Sequence, residues 1–464
     1  MILNRYHINP TLIFVLSFLI LIAVGTGLLL LPNSSTGNRI EFTDALFMSA
    51  SAVCITGLAV FDISAQLSLF GQNIIIVLVQ LGGLGIMTFT GFFGYFLTGR
   101  SSYKNQIMFS ELMDEKRVGS VIRSLINIVL LTFSFELAGA ILIYFSTDSS
   151  LFSDAGDHIH FSIFHSISAF CNAGFSTLST EGLYDERLRF NYSLQLIIAS
   201  LFILGGLGFA IILNVHLFIR RWSSLLYHRL RHGTPIKHKA WVMTFNSKLI
   251  FYTSVILLVF GFVTFFILEY DNSLAEHPST FGKAVTAFFT GATPRSAGYN
   301  TVDIASLSFP TIMIIILLMW IGASPGSTGG GIRTTTLTVA TLNIINVGRD
   351  QDRINVFRRE ISDESVRKSF AVISLSLIWL GISIFLLSIT DGDKGLLPIA
   401  FESFSAYSTV GLSLGITGSL SISGKILIIC TMFVGRVGTI TLLVSLIRSI
   451  HTRNFQYPEE HVLF

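Results

Sequence analysis

The amino-acid sequence predicts an all-α membrane protein. It is built of four membrane–pore–membrane repeats, eight transmembrane helices plus four re-entrant pore helices, in pseudo-fourfold arrangement around a central pore. Three observations predict this: an apolar, charge-poor composition, an alternation of long and short apolar segments, and one short motif that occurs four times.

Of 464 residues, 51% are hydrophobic and only 12% charged, against roughly 25% charged in soluble domains. The mean hydropathy is +0.70. Such a chain must turn many segments toward lipid. A net charge of +3 is too small to point to nucleic acid. Cys54, Cys171 and Cys430 form neither a disulfide framework nor a metal-ligand spacing, so they read as small apolar packing residues.

The first apolar run, Pro10 to Leu31, is long enough to span and is read as a transmembrane helix rather than a shorter cleavable signal. Spanning runs follow at about 72–98, 121–146, 193–219, 249–269, 309–346 (interrupted), 370–389 and 424–448. Between them lie apolar stretches at about 43–53, 161–171, 281–292 and 397–407, too short to cross and therefore re-entrant candidates. The order long, short, long thus recurs four times, which sets the expected repeats at 1–98, 121–219, 249–347 and 370–448, with a C-terminal tail at 449–464.

The short segments carry the motif. They read FMSASAVCITG ending at Gly57, FHSISAFCNAG ending at Gly174, FFTGATPRSAG ending at Gly298 and FESFSAYSTVG ending at Gly411. Each has Phe ten residues before the Gly and Ser or Thr eight residues before it: Ser49, Ser166, Thr290 and Ser403. A second echo follows at Gly82 and Gly85, Gly205 and Gly208, and Gly435 and Gly438. The third copy keeps Gly322 in register and then departs.

By this topology the N-terminus, the 99–123, 220–248 and 348–369 loops and the C-terminus carry 21 Lys and Arg, and the opposite side six; Arg295, Arg333 and Arg436 fall at membrane depth. The positive-inside rule then puts both termini in the cytoplasm and has all four short segments enter from outside. The 220–248 loop has seven Lys or Arg and no acid. It reads as a face for anionic lipid or an acidic partner, or as an ordinary cytoplasmic loop.

Non-helical backbone at membrane depth survives only when buried in protein or lining a water-filled cavity. Four Gly-containing loops around one axis supply such a cavity, with carbonyls able to replace the hydration shell of a monovalent cation. Gly leaves the path open and accepts positive φ. The short helices end at the loops, so their negative dipole ends favour a cation there. Gly82, Gly85, Gly205 and Gly208 read instead as packing glycines. Arg295 would repel a cation if it faced the path, so its guanidinium is expected behind the loop, bracing carbonyls or a carboxylate. Glu136 is expected to pair with a buried Arg or hydrogen-bond a pore helix, with a direct ion-coupling role as the alternative. Residues 322–336 (GASPGSTGGGIRTTT) cannot form continuous helix, given Pro325 and three successive glycines. They read as a gate on the cytoplasmic side of the loops, with Arg436 at similar depth, or else as a packing kink.

These residues resemble the Trk/Ktr/HKT superfamily of potassium transporters, over essentially the whole chain. With no helix pair before the first repeat, the chain is most similar to the KtrB-type membrane subunit. The resemblance implies a selectivity filter holding K+ at carbonyls of Cys54, Ile55, Thr56 and Gly57; Cys171, Asn172, Ala173 and Gly174; Arg295, Ser296, Ala297 and Gly298; and Ser408, Thr409, Val410 and Gly411. It implies an intramembrane gate at Gly326, Ser327, Thr328, Gly329, Gly330 and Gly331, with Arg436 as the barrier beside it. Four filter glycines go with potassium selectivity in that superfamily, while Ser in the first loop goes with sodium permeation. The resemblance also implies a multi-pass protein of the cell inner membrane, a homodimer with one pore per subunit, seated on a KtrA-like ring of nucleotide-binding regulatory subunits. Sodium stimulation of uptake is a further implication, although no residue marks a sodium site. No GxGxxG follows a strand, so neither the regulator nor an organic cofactor is expected on this chain.

The rival function is a sodium-coupled or sodium-permeable cation secondary transporter. Such folds favour inverted repeats and two broken helices meeting at a midplane site, whereas these repeats run parallel with the break in one of them. An intramembrane enzyme is not expected: His158, His160 and His165 cluster before the second loop without a partner nucleophile.

Overall fold

The structure, a computed structural model, describes residues 10–37, 39–98, 121–178, 182–209, 211–212, 214, 222, 244–351 and 353–439. The C-terminal tail, most of the basic 220–248 loop, residues 99–120 and the end of the last expected span lie outside the described residues.

The described chain is mostly helical. Its helices are α1 (Pro10–Leu29), α2 (Phe42–Cys54), α3 (Ile63–Gln66), α4 (Leu69–Thr98), α5 (Val121–Ser146), α6 (Ala155–Phe170), α7 (Tyr192–Leu207), α8 (Phe245–Leu268), α9 (Thr280–Ala292), α10 (Phe309–Ile321), α11 (Thr334–Val347), α12 (Asp363–Thr390), α13 (Leu396–Ser408) and α14 (Ile422–Val437). Among the described residues, Ile126–Ser146, Phe245–Leu268 and Asp363–Thr390 are long and apolar enough to cross a membrane, and Val15–Leu29, Leu69–Leu84, Tyr192–Leu207 and Phe309–Ile321 are shorter apolar helices. One departure from helix is a hairpin, β1 (Asn355–Val356) against β2 (Arg359–Glu360). Its turn residues Phe357 and Arg358 both have positive φ, as a type I′ turn needs.

The long helices bury narrow stripes and expose broad apolar faces. In α8, for example, Ile256 is 66% and Ile267 69% exposed, which is costly in water and suits lipid. The short helices α2, α6, α9 and α13 are the reverse, buried over most of their length. Their Phe anchors Phe47, Phe164 and Phe401 are at most 1% exposed.

Packing follows a rotational rule. Each short helix lies against the long helix before it: α2 on α1, α6 on α5, α9 on α8, α13 on α12. Each also lies against a later helix of the neighbouring group: α6 on α4, α9 on α7, α13 on α10 and α2 on α14. The last contact closes a ring, and an ion pair between Lys425 of α14 and Asp44 of α2, 2.6 Å long, fastens it. Polar residues also fix helix starts. Glu269, at the end of α8, accepts from the Ser308 amide at 3.0 Å and from Thr311 at 2.6 Å at the head of α10. Asp391, at the end of α12, accepts from the amide and hydroxyl of Ser421, the N-cap of α14, at 2.6 and 2.8 Å.

The expectation of a break in the third repeat alone needs correction. Helix α10 does stop at Gly322, but α7 also stops at Gly208 and α14 at Gly438, with φ of 90° and 89°. A φ in that range ends a right-handed helix, and Gly adopts it without a Cβ clash. Gly208 is therefore a helix breaker rather than a packing glycine. Gly82, Gly205 and Gly435 do serve packing: a Cβ on each would strike the backbone carbonyl of Val53, Phe170 or Tyr407, near the end of a short helix.

That close approach has a measurable consequence. The Gly435→Val substitution should cost about 3 kcal/mol or more, by analogy with forced overpacking, and should lower the melting temperature in detergent. Gly381→Val on α12, where a Cβ would meet nothing within 4 Å, should leave it unchanged.

Candidate ion pathway

The short helices end in four loops of one design. The residue two before each Gly has positive φ (Ile55 57°, Asn172 61°, Ser296 84°, Thr409 50°), and so do Gly57 (88°), Gly174 (70°), Gly298 (73°) and Gly411 (95°). Left-handed backbone is unfavourable for β-branched residues such as Ile55 and Thr409, so the surroundings must hold it. They do so by hydrogen bonds inside each loop. The amides of Thr56, Ala173 and Val410 donate to the carbonyls of Ser51, Ser168 and Ser405 at 2.8, 2.8 and 2.9 Å. The hydroxyls of Ser51 and Ser168 donate to the carbonyls just past the glycines, Leu58 at 2.7 Å and Phe175 at 2.8 Å. Ser405 instead accepts from the Gly411 amide at 3.1 Å.

The third loop reaches the same end with one residue fewer. Ala297 donates to Thr293 at 2.9 Å, and the Thr293 hydroxyl donates to the Tyr299 carbonyl at 2.8 Å. The buried aromatic of this helix is accordingly Phe289 (0% exposed), not the Phe288 that the sequence motif aligns.

The four loops meet. A Cβ on Gly57 would strike the Ala173 carbonyl; on Gly174, the Ala297 carbonyl at 2.8 Å; on Gly298, the Val410 carbonyl; on Gly411, the Thr56 carbonyl. Each glycine therefore abuts the residue preceding the next, and the fourth returns to the first. A cavity of about 450 Å³ opens over this ring, lined by all four glycines together with Ser176, Asn300, Ser413 and Thr417.

The residues before the glycines are buried. Cys54, Ile55, Thr56, Ala297, Ser296, Ser408, Thr409, Val410 and Ala173 are 0% exposed, and Cys171 and Asn172 1%. Arg295 turns its guanidinium onto α8, donating to the Ser254 carbonyl at 3.1 Å. Cys171 lies 3.7 Å from Gln80 and 3.8 Å from Glu136. Glu136 accepts from Gln80 of α4 at 3.1 Å, while its backbone carbonyl accepts from Ser166 of α6 at 2.6 Å. No arginine bridges to it among the described residues.

On the opposite side of the ring from the cavity, the 322–333 segment runs beneath the third and fourth loops. The Gly330 amide donates to Ser296 Oγ at 3.1 Å, and Ser296 Oγ lies 3.3 Å from the Ser408 carbonyl. A Cβ on Gly330 or Gly331 would press on the side chains of Thr409 or Ser408. The segment also reaches α7 and the residues after it: Ser324 donates to the Gly206 carbonyl at 3.2 Å, and Phe209 donates to the Gly326 carbonyl at 3.0 Å. Ser327 donates to Ser324 at 2.6 Å, and Arg333 donates to the Gly329 carbonyl. Arg436, 1% exposed, donates to the Thr328 carbonyl and, at 2.7 Å, to the Gly82 carbonyl of α4. The residues named from the sequence on either side of the ring are thus brought together in space. What sequence reasoning missed is the polar layer behind the cavity wall: His165 and Glu402, each nine residues before its glycine, hold Ser176 at 2.9 Å and Ser413 at 2.8 Å. Two polar side chains at one motif position were the available signal.

The family model described as TrkH, cation transport protein, matches residues 4–456. The chain is 33% identical to the potassium/sodium uptake protein NtpJ of Enterococcus hirae, over 99% of this chain and 98% of that one. It is 34% identical to the Ktr system potassium uptake protein B of Bacillus subtilis, over 98% and 96%. Its fold is similar to the crystal structure of the potassium transporter TrkH from Vibrio parahaemolyticus, with a TM-score of 0.73, 18% identity, and coverage of 96% of this chain and 86% of that one. The chain belongs to the TrkH family of cation transport proteins, membrane transporters rather than enzymes.

Proposed function

We propose that this chain is the pore-forming subunit of a Ktr-like system and carries K+ into the cell through a gated selectivity filter. The repeats are 1–98, 121–219, 249–347 and 370–448, arranged about one pore. The observation that carries the reading is the closed ring in which each positive-φ glycine abuts the residue preceding the next. Alternating backbone handedness suits a loop that lines a path with its carbonyls. The four helix ends add negative potential. The names of the relatives, potassium uptake in several of them, supply the ion.

In this reading residues 54–57, 171–174, 295–298 and 408–411 form the filter, and the cavity over the glycines is its outer mouth. Residues 326–331 are the gate. Arg436 is a fixed positive charge that tethers that segment and opposes ion passage. The excess of Lys and Arg on one side supports cytoplasmic termini in the inner membrane. Homodimerisation, a KtrA-like nucleotide-binding partner ring and sodium stimulation belong to the same proposal and rest on likeness to Ktr systems. A second reading, a sodium-coupled or sodium-permeable transporter, is favoured by the name of the Enterococcus hirae relative, potassium/sodium uptake protein.

The deciding experiment is rubidium uptake into liposomes holding the purified chain, with potassium or sodium as competitor. Uptake driven by an inside-negative potential, blocked by potassium and only weakly by sodium, is expected. Equal block by both ions, or uptake only under an imposed sodium gradient, would favour the second reading. Gly298→Ser should shrink the potassium-over-sodium preference, as a shift in the competition curves. Deleting Ser327 and Thr328 should raise rubidium flux at unchanged competition, since it removes part of the obstruction and spares the glycines that touch Ser296, Ser408 and Thr409.

A further inference from the structure

Behind the cavity wall, one position on the short helices recurs as a brace. In the second repeat His165 holds Ser176 at 2.9 Å. In the third, allowing for its missing residue, Thr290 holds Thr301 at 3.2 Å. In the fourth, Glu402 accepts from Ser413 Oγ at 2.8 Å and from the Thr417 hydroxyl. In the first, the position is Met48, which is apolar. A neutral side chain therefore suffices for the brace, and the charge of Glu402 is additional to it.

That charge is fully buried, at 0% exposure, and Glu402 has no salt bridge among the described residues. Ser413 Oγ already accepts from the Gly415 amide at 3.0 Å, leaving its proton for the carboxylate. With the Thr417 proton on Glu402 rather than on Ser413 Oγ, 2.9 Å away, both carboxylate oxygens accept, the arrangement an ionised carboxylate requires. An unpaired buried charge is costly, and a low-dielectric wall focuses its field into the adjoining cleft. Here the cleft is the cavity over the glycine ring, which both Ser413 and Thr417 line. Asp62 lines the rim as well, but caps α3 through the Ser64 amide at 2.8 Å.

We infer that Glu402 supplies the negative potential that concentrates monovalent cations in the cavity at the ring of glycines. The inference rests on the pore reading above but concerns cation affinity rather than the path. Glu402 is a positioning residue that acts through Ser413 and Thr417, without touching the ion itself.

The test uses the full chain with two readouts: rubidium uptake into liposomes, and stabilisation of the detergent-solubilised protein against heating by added rubidium. The substitution Glu402→Gln keeps size and one acceptor oxygen and removes the charge, its amide nitrogen donating to whichever of the Ser413 and Thr417 hydroxyls turns to accept. It should raise the half-saturating rubidium concentration about three- to tenfold in both readouts, with the maximal rate within about twofold, as loss of one partly screened charge predicts. It should also flatten the dependence of half-saturation on added choline chloride. Glu402→Asp, which keeps the charge, should retain that dependence. Unchanged half-saturation and salt dependence in the Gln variant would overturn the inference and leave Glu402 a structural brace only. An unmodified chain that shows no uptake would count against the pore reading, while the stabilisation curves would still decide the role of Glu402. If the Gln variant fails to fold, Glu402→Thr, the residue type that the third repeat carries at this position, decides: raised half-saturation with a flattened choline dependence supports the inference, and wild-type values of both overturn it.

Discussion

A peptide chain that leaves the helix at membrane depth must find partners for its amides and carbonyls within the protein, because lipid offers none. In this structure that requirement fixes the side chains of all four loops. The amide before each glycine turns back to the end of its own short helix, and Ser51, Ser168 and Thr293 reach over to the carbonyl past the glycine. These hydroxyls are therefore structural, and they are not those of the motif: Ser49 and Ser166 bond instead to the carbonyls of Ile22 and Glu136 on the preceding long helices. The loop hydroxyls replace helix hydrogen bonds where the backbone turns left-handed. Positive φ at Ile55 and Thr409 persists because these bonds, and burial from every side, outweigh a cost of about 1–2 kcal/mol per residue.

The same constraint governs the buried arginines. Arg295, Arg333 and Arg436 all end on backbone carbonyls, and none has a carboxylate partner among the described residues. A guanidinium satisfied by carbonyls keeps its whole positive charge, whereas an ion pair would cancel it. Arg295 directs that charge away, onto α8. Arg436 holds it between the Thr328 carbonyl and α4, where in the proposed mechanism it opposes a cation leaving the filter. In the role inferred for it, Glu402 is the complement on the other side of the ring, a negative charge behind the cavity. The arrangement is an electrostatic gradient along the proposed path, written in unpaired buried charges.

Much of this was legible in the chain because it is carried by periodicity and by glycine. Helices α2, α9 and α13 start and end within a residue of the short stretches expected at 43–53, 281–292 and 397–407, whereas α6 begins at Ala155, six residues before the expected 161. The motif found the four glycines that the structure brings into one ring. What escaped was local geometry. Gly208 and Gly438 share a spacing with Gly82 and Gly205, and spacing alone does not separate a packing glycine from one that ends a helix. The single-residue contraction of the third loop was hidden because FF at 288–289 offers a phenylalanine in either register. Glu402 was passed over, and His165 was weighed only as one of a histidine cluster lacking a nucleophile, since nothing in a linear motif says which side chain faces the back of a cavity.

The divergence of the third repeat follows from symmetry. In the proposed arrangement four related units share one axis, and a segment that crosses it can come from one unit only; four such segments would collide. The third unit supplies it, and its other departures follow. Pro325 and the run Gly329–Gly331 prevent α10 from continuing, and Ser296, at the left-handed position of the contracted loop, has the hydroxyl that receives the Gly330 amide. Ser408 and Thr409 accommodate the glycines beneath them. The second and fourth units adapt in turn, each ending its helix at a left-handed glycine where the segment or its arginine tether passes, while the first keeps the continuous α4 that receives Arg436. One asymmetric loop therefore accounts for helix breaks in three units, and it does so through contacts to backbone that only glycine allows.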